Sequence, residues 1–452
     1  MNRMLTLFLV CAGAVALLSR AVDQMDFSVI LAAIGFFLIM GVSFVRGTPA
    51  LYLIAFAMLF SPEVGTSMKT GRSAGEGAGV VVRFEDVLIM AVAIGWLLRT
   101  TFHGRQFGIV RNSLNKYIGA YILLSVVSTL MGVIFGGVRM ETGLFHNLKY
   151  FEYFLLYFMI LAHVREKQII SRMIGVMIFV FFLTVLFGYY QMGTGVERVC
   201  APFDEEPNTY GGYMVLIMSI CLGIVLTDPR ARIVTIMVLV LLAALPPFGA
   251  TLSRASYMGL AGGLLAFLVF SHKRILIGAL LVIFMTLAFS GLPVLPENVR
   301  QRISGTFVKQ SEYQRKIAGV DLDSSASARI VSFEEAFSQW QSSPVFGVGV
   351  TGTHFIDGQF VRLLVETGIA GVTAFCLMLV VLMKEIWKVY RHCADPFIKG
   401  ATLGFFCGTF GLFVHALSAN TFIILRIAEP FWVLAALLLL MPRLAPKEAQ
   451  AA

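Results

Sequence analysis

The chain has 452 residues, of which 58% are hydrophobic and 13% charged, and its mean hydropathy is +0.84. Soluble domains are about a quarter charged and less apolar, so a soluble globular protein is excluded. Apolar runs of about 20 residues also exclude a membrane β-barrel, whose strands read as alternating segments of about 10.

Fourteen apolar segments are predicted, at about 4–19, 27–45, 48–62, 84–98, 114–136, 147–163, 168–190, 209–227, 232–248, 255–271, 274–290, 359–383, 398–418 and 423–441. The expected class is an all-α polytopic membrane protein with about 12–14 transmembrane helices. At the N-terminus, Arg3 precedes the apolar run Met4 to Leu18, as in a signal peptide. Val10 stands where a lipoprotein signal needs a small residue before Cys11, so an uncleaved first helix is expected. The third and fourth segments are short, and one of them could tilt strongly or re-enter. The six cysteines form no CxxC pair, and most fall in apolar runs as small buried hydrophobes. Residues 1–290 read as an N-terminal bundle, 291–357 as a polar loop domain and 358–452 as C-terminal helices.

The net charge of +9 is read against topology, not nucleic acid, because basic residues collect on the cytoplasmic side. Strict alternation from a cytoplasmic N-terminus puts 19 of the 35 basic residues inside, with only five acids beside them. The loop 291–357 is then extracytoplasmic. No nucleotide sugar is expected there, so Asp321-Leu-Asp323, which looks like a nucleotide-sugar DxD motif, reads as solvated loop.

Arginines lie beside or within apolar runs on the outer face: Arg83, Arg139, Arg198, Arg254, Arg362 and Arg426. A membrane arginine pairs with an acid or lines a polar cavity. Asn208 follows Arg198 and opens a helix that it could cap. Arg254 sits between two segments joined by almost no loop. It could snorkel, pair with Glu366 or Glu429, or clamp phosphate through its forked guanidinium. In the loop, Ile330, Phe333, Phe337 and Trp340 fall on one face of a helix predicted to lie over the membrane mouth. Pro344 ends it, and Gly347, Gly349 and Gly352 permit close backbone approach. His354 and Asp357 precede the next membrane helix. Each could act as a general base on a hydroxyl, or be a surface histidine and an N-cap. Arg362 and Glu366 are spaced to pair at i, i+4.

At these residues the chain resembles the O-antigen ligase and O-antigen polymerase superfamily, bacterial membrane glycosyltransferases of GT-C type with a lipid-linked donor. Arg198 to Asn208 resembles the family's Arg…Pro-Asn element, and Thr251 to Ala255 its Ser-Arg element. Arg329, Trp340 and Ser343 to Gly349 resemble its loop helix and Pro-Leu-x-Gly-x-Gly. Residues Asp357 to Gly371 resemble its His-Asn-x-Tyr-Leu…Glu-x-Gly-x-x-Gly. The set covers roughly the C-terminal 60% of the chain. Ligases have histidine where this chain has Asp357 and asparagine where it has Gly358. Exopolysaccharide-type polymerases tolerate Asp there better, and Asn147 to Phe158 looks more like that branch.

The resemblance implies a polymerase that extends glycans on a polyprenyl diphosphate at the periplasmic face of the inner membrane. It implies no metal or other cofactor. Asp357, or His354, would be the base. Arg254, Arg198 and Arg329 would be the donor clamps, with Asn208, Arg362 and Glu366 in the binding site. A lipid-linked oligosaccharide, the bilayer, a flippase and a chain-length regulator would be its partners. The near alternative is a ligase acting on lipid A-core. The rival class is a lipid-linked oligosaccharide flippase, which would need charges along the midplane and a repeated half.

Overall fold

The computed structural model describes residues 27–45, 47–61, 83–102, 112–203, 206–289, 316–317, 320–321, 324–354 and 356–444. The first predicted segment, the start of the polar loop and Asp323 of the DxD-like motif lie outside these residues. The other thirteen segments are helices: α1 (Phe27–Val45), α2 (Gly47–Phe60), α3 (Phe84–Phe102), α4 (Ser113–Ile134), α5 (Met140–His163), α6 (Lys167–Gly193), α7 (Pro207–Thr227), α8 (Ala231–Ala250), α9 (Arg254–Phe270), α10 (Arg274–Phe289), α12 (Gln359–His392), α13 (Pro396–His415) and α14 (Leu425–Leu439). The loop helix is α11 (Ser324–Trp340), and α15 (Met441–Leu444) follows α14. A two-residue antiparallel ladder pairs Lys316–Ile317 with Val320–Asp321.

Among the described residues, seven spans are long and apolar enough to cross a bilayer. Large apolar side chains such as Leu130, Ile134, Leu186, Leu239 and Leu242 stay exposed on them. That surface suits hydrocarbon and would be a liability in water. The protein is a polytopic all-α membrane protein.

The centre of the bundle is the contact of α7 with α13. Side chains at Gly223, Gly400 and Gly404 would each collide with the facing backbone at 2.3–2.6 Å. Small residues at four-residue spacing let two helix backbones approach this closely.

A second feature is polar. Arg426 of α14 is 2% exposed and donates to Glu85 Oε2 (3.1 Å) and to the carbonyls of Met58 (2.8 Å) and Ser61 (3.0 Å). Lys149 of α5 bridges Asp86 and Glu152, and Arg83 lies 3.7 Å from Glu85. Glu429, one turn after Arg426, is fully buried and neither carboxyl oxygen has a hydrogen-bond partner among the described residues. Helices α3 and α5 are less apolar than their neighbours because they carry this cluster.

The element that positions the loop is a break in α12. Gly368 has φ 65° and ψ −171°. The chain after α11 threads into the break: Val348 N and Gly349 N donate to the carbonyls of Val365 and Glu366, and Ile369 N and Ala370 N donate to those of Pro344 and Val345. Ser128 of α4 adds a hydrogen bond to the Glu366 carbonyl. Gly347 and Gly368 touch at this splice, and both have positive φ. Pro344 lies beyond the end of the loop helix, which stops at Trp340.

Arg426→Ala removes three hydrogen bonds and leaves Glu85 buried without its nearest cation. It should cost about 3–5 kcal/mol, the usual loss when one partner of a buried pair is deleted. Glu429→Gln forfeits no hydrogen bond and should cost under about 1 kcal/mol. Thermal melts of the two purified variants in one detergent check the contrast.

Candidate functional site

Arg198, Asn208 and Arg254 lie at the end of the bundle where α7 and α9 start. The loop before α7 lies on the α8–α9 turn. Val199 N donates to the Ala250 carbonyl (2.9 Å), and Arg198 Nε donates to the Thr251 carbonyl (3.1 Å). Ala201 and Leu252, one in each strand of this contact, have φ of 48° and 51°. Non-glycine residues adopt that conformation at a cost, and such strain concentrates at functional sites.

Ser253 caps α9 by accepting from Ser256 N, which makes Arg254 the first helical residue. The Ser253 hydroxyl donates to Asn208 Oδ1 (2.8 Å). Asn208 therefore does not cap its own helix. The cap position is Glu206, Pro207 fills the first turn, and the Asn208 side chain ties α7 to α9. The Asn208 carbonyl meets His415 Nε2 (3.2 Å), and His415 Nδ1 meets Thr421 Oγ1 (2.8 Å).

Helix α11 packs on the start of α12 and the chain before it. Its inner face is Phe333, Ala336 and Trp340, packed with Ile356 and Val365. Phe337, expected on that face, is 52% exposed. Small Ala336 lets the helix lie flush on Ile356 and Val365, which turns Phe337 outwards. Arg329 on this helix reaches Asp357 (3.6 Å). Its Nε is buried with no hydrogen-bond partner among the described residues, as is Thr353 Oγ1, four residues before Asp357. His354 is exposed and faces Ser332 (3.4 Å) and Glu335 (3.7 Å).

Asp357 does not cap α12 either, because Gly358 holds that position without a side-chain bond. Gly358 has φ 133°, and a side chain there would meet the Phe333 ring at 2.9 Å and the Leu417 carbonyl at 3.4 Å. Glycine suits this crowded, positive-φ position. Gln359 Oε1 accepts from Thr421 N and Phe422 N, and Asn420 donates to the Ile356 carbonyl. These bonds fix Asp357 against the α13–α14 connection.

Arg362 and Glu366 pair as their spacing predicts (3.0 Å), with Arg362 also donating to Tyr150 (3.2 Å). Glu366 is 2% exposed and accepts from Thr351 N. This pair belongs to the interior that holds α12 to α5 and to the loop. It does not share the contacts of Asp357 or Arg198.

Glu206 is a member of the site that sequence reasoning passed over. Although its side chain reaches solvent, desolvation by the surrounding protein raises its carboxyl above the ordinary glutamate range. The Asp357 charge raises it further, and Arg198 offsets part of the rise. Arg198, Glu206 and Asp357 thus share one electrostatic neighbourhood, to which Ser253 and Asn208 add Arg254. The signal in the sequence was its position beside Pro207-Asn208.

An apolar groove of about 690 Å3 runs along α9, α12 and α13. Phe360 and Leu417 line one end, beside Gly358, and Lys384 and Trp387 line the other. The phenylalanines Phe270, Phe406, Phe410 and Phe413 form much of its wall.

A helical membrane protein with arginines and carboxylates at one end of an apolar groove is suited to an amphiphilic, anionic ligand. Residues 248–376 match the family model described as O-antigen ligase. The match supports the O-antigen ligase and polymerase superfamily and implies a membrane glycosyltransferase-like enzyme. Arg254, Arg329, His354, Asp357, Arg362 and Glu366 lie inside the matched span, and Arg198 and Asn208 lie before it. No curated protein matches the chain.

The raised Glu206 carboxyl gives a pH dependence with a definite sign. Below its shifted pKa, Glu206 is neutral and Asp357 is its only negative neighbour named above. As pH rises through that pKa a second negative charge appears and repels an anion. Affinity for a soluble diphosphate should fall with rising pH, and Glu206→Gln should flatten the fall. Calorimetric titrations across a pH series measure it.

Proposed function

We propose that the protein is a polysaccharide polymerase, transferring a growing glycan from a polyprenyl diphosphate to a hydroxyl of another lipid-linked repeat unit. The observation that supports this reading is the pairing of Arg329 with Asp357 one residue from Gly358, beside one end of a lipid-sized groove, with Arg198 and Asp357 both acting on Glu206 and Arg254 following the Ser253–Asn208 contact. The isoprenoid tail lies in the groove, and the diphosphate sits among the arginines. In this reading the multi-pass chain lies in the bacterial inner membrane, with both termini cytoplasmic and the site facing the periplasm. The loop domain 291–357 acts as the lid.

The acceptor hydroxyl oxygen attacks the anomeric carbon of the donor. A glycosidic bond forms, the bond from that carbon to the diphosphate oxygen breaks, and the electron pair leaves with the diphosphate. The hydroxyl proton passes to Asp357. In the absence of ligand Asp357 is neutralised by Arg329. A diphosphate competes for that guanidinium, whose Nε has a donor to spare, and so frees the carboxylate as a base. Arg254 and Arg198 stabilise charge on the leaving group. His354 is the second choice of base, since it would have to leave Ser332 and Glu335. Arg362 and Glu366 act in this reading by holding the start of α12 in place.

The ligase reading draws on the description of the matching family and differs only in acceptor. Purified protein given lipid-linked repeats alone should build a ladder of polymer. Arg254→Ala should lose about 100-fold or more in rate while keeping its thermal melt. Transfer to lipid A-core without a ladder would assign the ligase instead. An unchanged rate in Arg254→Ala would remove the clamp role.

A further inference from the structure

At the opposite end of the same helices there is a second, polar cavity of about 350 Å3. It lies between the end of α7, the α9–α10 turn and the α12–α13 turn. Thr227, Ser271, His272, Lys273, Tyr390 and Lys399 give it its character. Two acids stand close by in the chain, and both are already engaged. Asp228 takes a bidentate pair from Arg230 at 2.9 and 2.6 Å, and Asp395 pairs with Lys167 at 3.2 Å. Lys273 has no ion-pair partner among the described residues, and Lys399 lies 5.6 Å from the centre of the Tyr390 ring. The cavity therefore holds two cations whose charge is not cancelled, beside the hydroxyls of Thr227, Ser271 and Tyr390. A phosphate oxyanion matches that donor set.

The surroundings say where the phosphate comes from. Directly after Arg274, Ile275 is 92% exposed and Leu276 48% exposed, on a helix whose outer face is apolar. Such residues require hydrocarbon, so His272 and Lys273 stand at the boundary between hydrocarbon and headgroups. Trp387, which lines the apolar groove, packs 5.1 Å from Tyr390 of the cavity, an aromatic pair at the same level. Basic pockets between transmembrane helices at this depth suit anionic headgroups.

We propose that this cavity binds the phosphate headgroup of an anionic phospholipid from the leaflet opposite the candidate site. The lipid joins the ends of α7, α9, α12 and α13. The other ends of these helices carry Asn208, Arg254, Asp357 and His415, so the lipid clamps the frame on which that site is built. The inference needs no assumption about which reaction the site performs.

The purified full-length protein is melted in detergent with added phosphatidylglycerol, phosphatidylcholine or inorganic phosphate, and bound lipid is counted by native mass spectrometry. Phosphatidylglycerol should raise the melting temperature and remain bound. Phosphatidylcholine and inorganic phosphate should do neither. The Lys273→Gln, Lys399→Gln double variant should bind phosphatidylglycerol roughly thirtyfold more weakly, at about tenfold or less per lysine. Arg391→Gln, an exposed cation outside the cavity, should respond like the parent. Equal shifts with phosphatidylcholine, or an unchanged response in the double variant, would overturn the proposal. So would an equal loss in Arg391→Gln, which would mean general surface charge. A shift reproduced by inorganic phosphate would replace the lipid with a free anion. If the double variant does not fold, Lys273→Gln alone, at an exposed turn, carries the same comparison.

Discussion

The structure depends on how the carbonyls freed at the break in α12 are satisfied. A helix interrupted within a membrane leaves backbone groups that hydrocarbon cannot hydrate. Here the chain from Pro344 to Gly349 supplies the missing partners from both sides of Gly368. The polar loop is thereby built into the helical domain. One consequence is that α11 stands in a fixed place, with Arg329 over Asp357. Another is that Glu366 keeps its backbone engaged by the loop and its side chain engaged by Arg362 and Thr351. The break and the loop stabilise one another, and neither would persist alone.

Around this splice the molecule separates three roles that the sequence presents together as outer-face charges. Arg426 and its neighbours hold α2, α3, α5 and α14 together. Arg362 holds α12 to α5. Arg198 and Arg329 act on Glu206 and Asp357, and Arg254 follows the Ser253 that ties α9 to Asn208. Arg426 donates to two carbonyls and a carboxylate within its own pocket, whereas Arg329 pairs with Asp357 at 3.6 Å.

Helix positions were legible because a 20-residue apolar run has few alternatives in a bilayer. Thirteen predicted segments are helices, with ends shifted by a few residues; α5 starts earlier and α12 runs on to His392. The pairing of Arg362 with Glu366 was legible because it is local. Long-range contacts were not. Nothing in the spacing links Ser253 to Asn208, 45 residues away, or marks Glu206 as a neighbour of Asp357. The kink was also hidden, since Gly368 sits in a stretch that reads as continuous helix. Phe337 was misplaced because helical periodicity sets relative angles and not the side that small Ala336 turns inwards. The glycine row at Gly400 and Gly404 was present in the sequence and could have been read as a close helix contact.

The buried charge cluster bears on how the chain is made. Glu85 and its partner Arg426 are separated by 341 residues. At ordinary synthesis rates of about 5–20 residues per second, roughly 20–70 s pass between them. During that interval α3 must wait at the translocon or in the bilayer with its acids incompletely matched. Maturation of the first half is therefore contingent on arrival of the last helix. A chain stopped before α14 presents membrane-embedded carboxylates instead of a sealed bundle, a mark by which a quality-control protease could tell an unfinished molecule from a finished one.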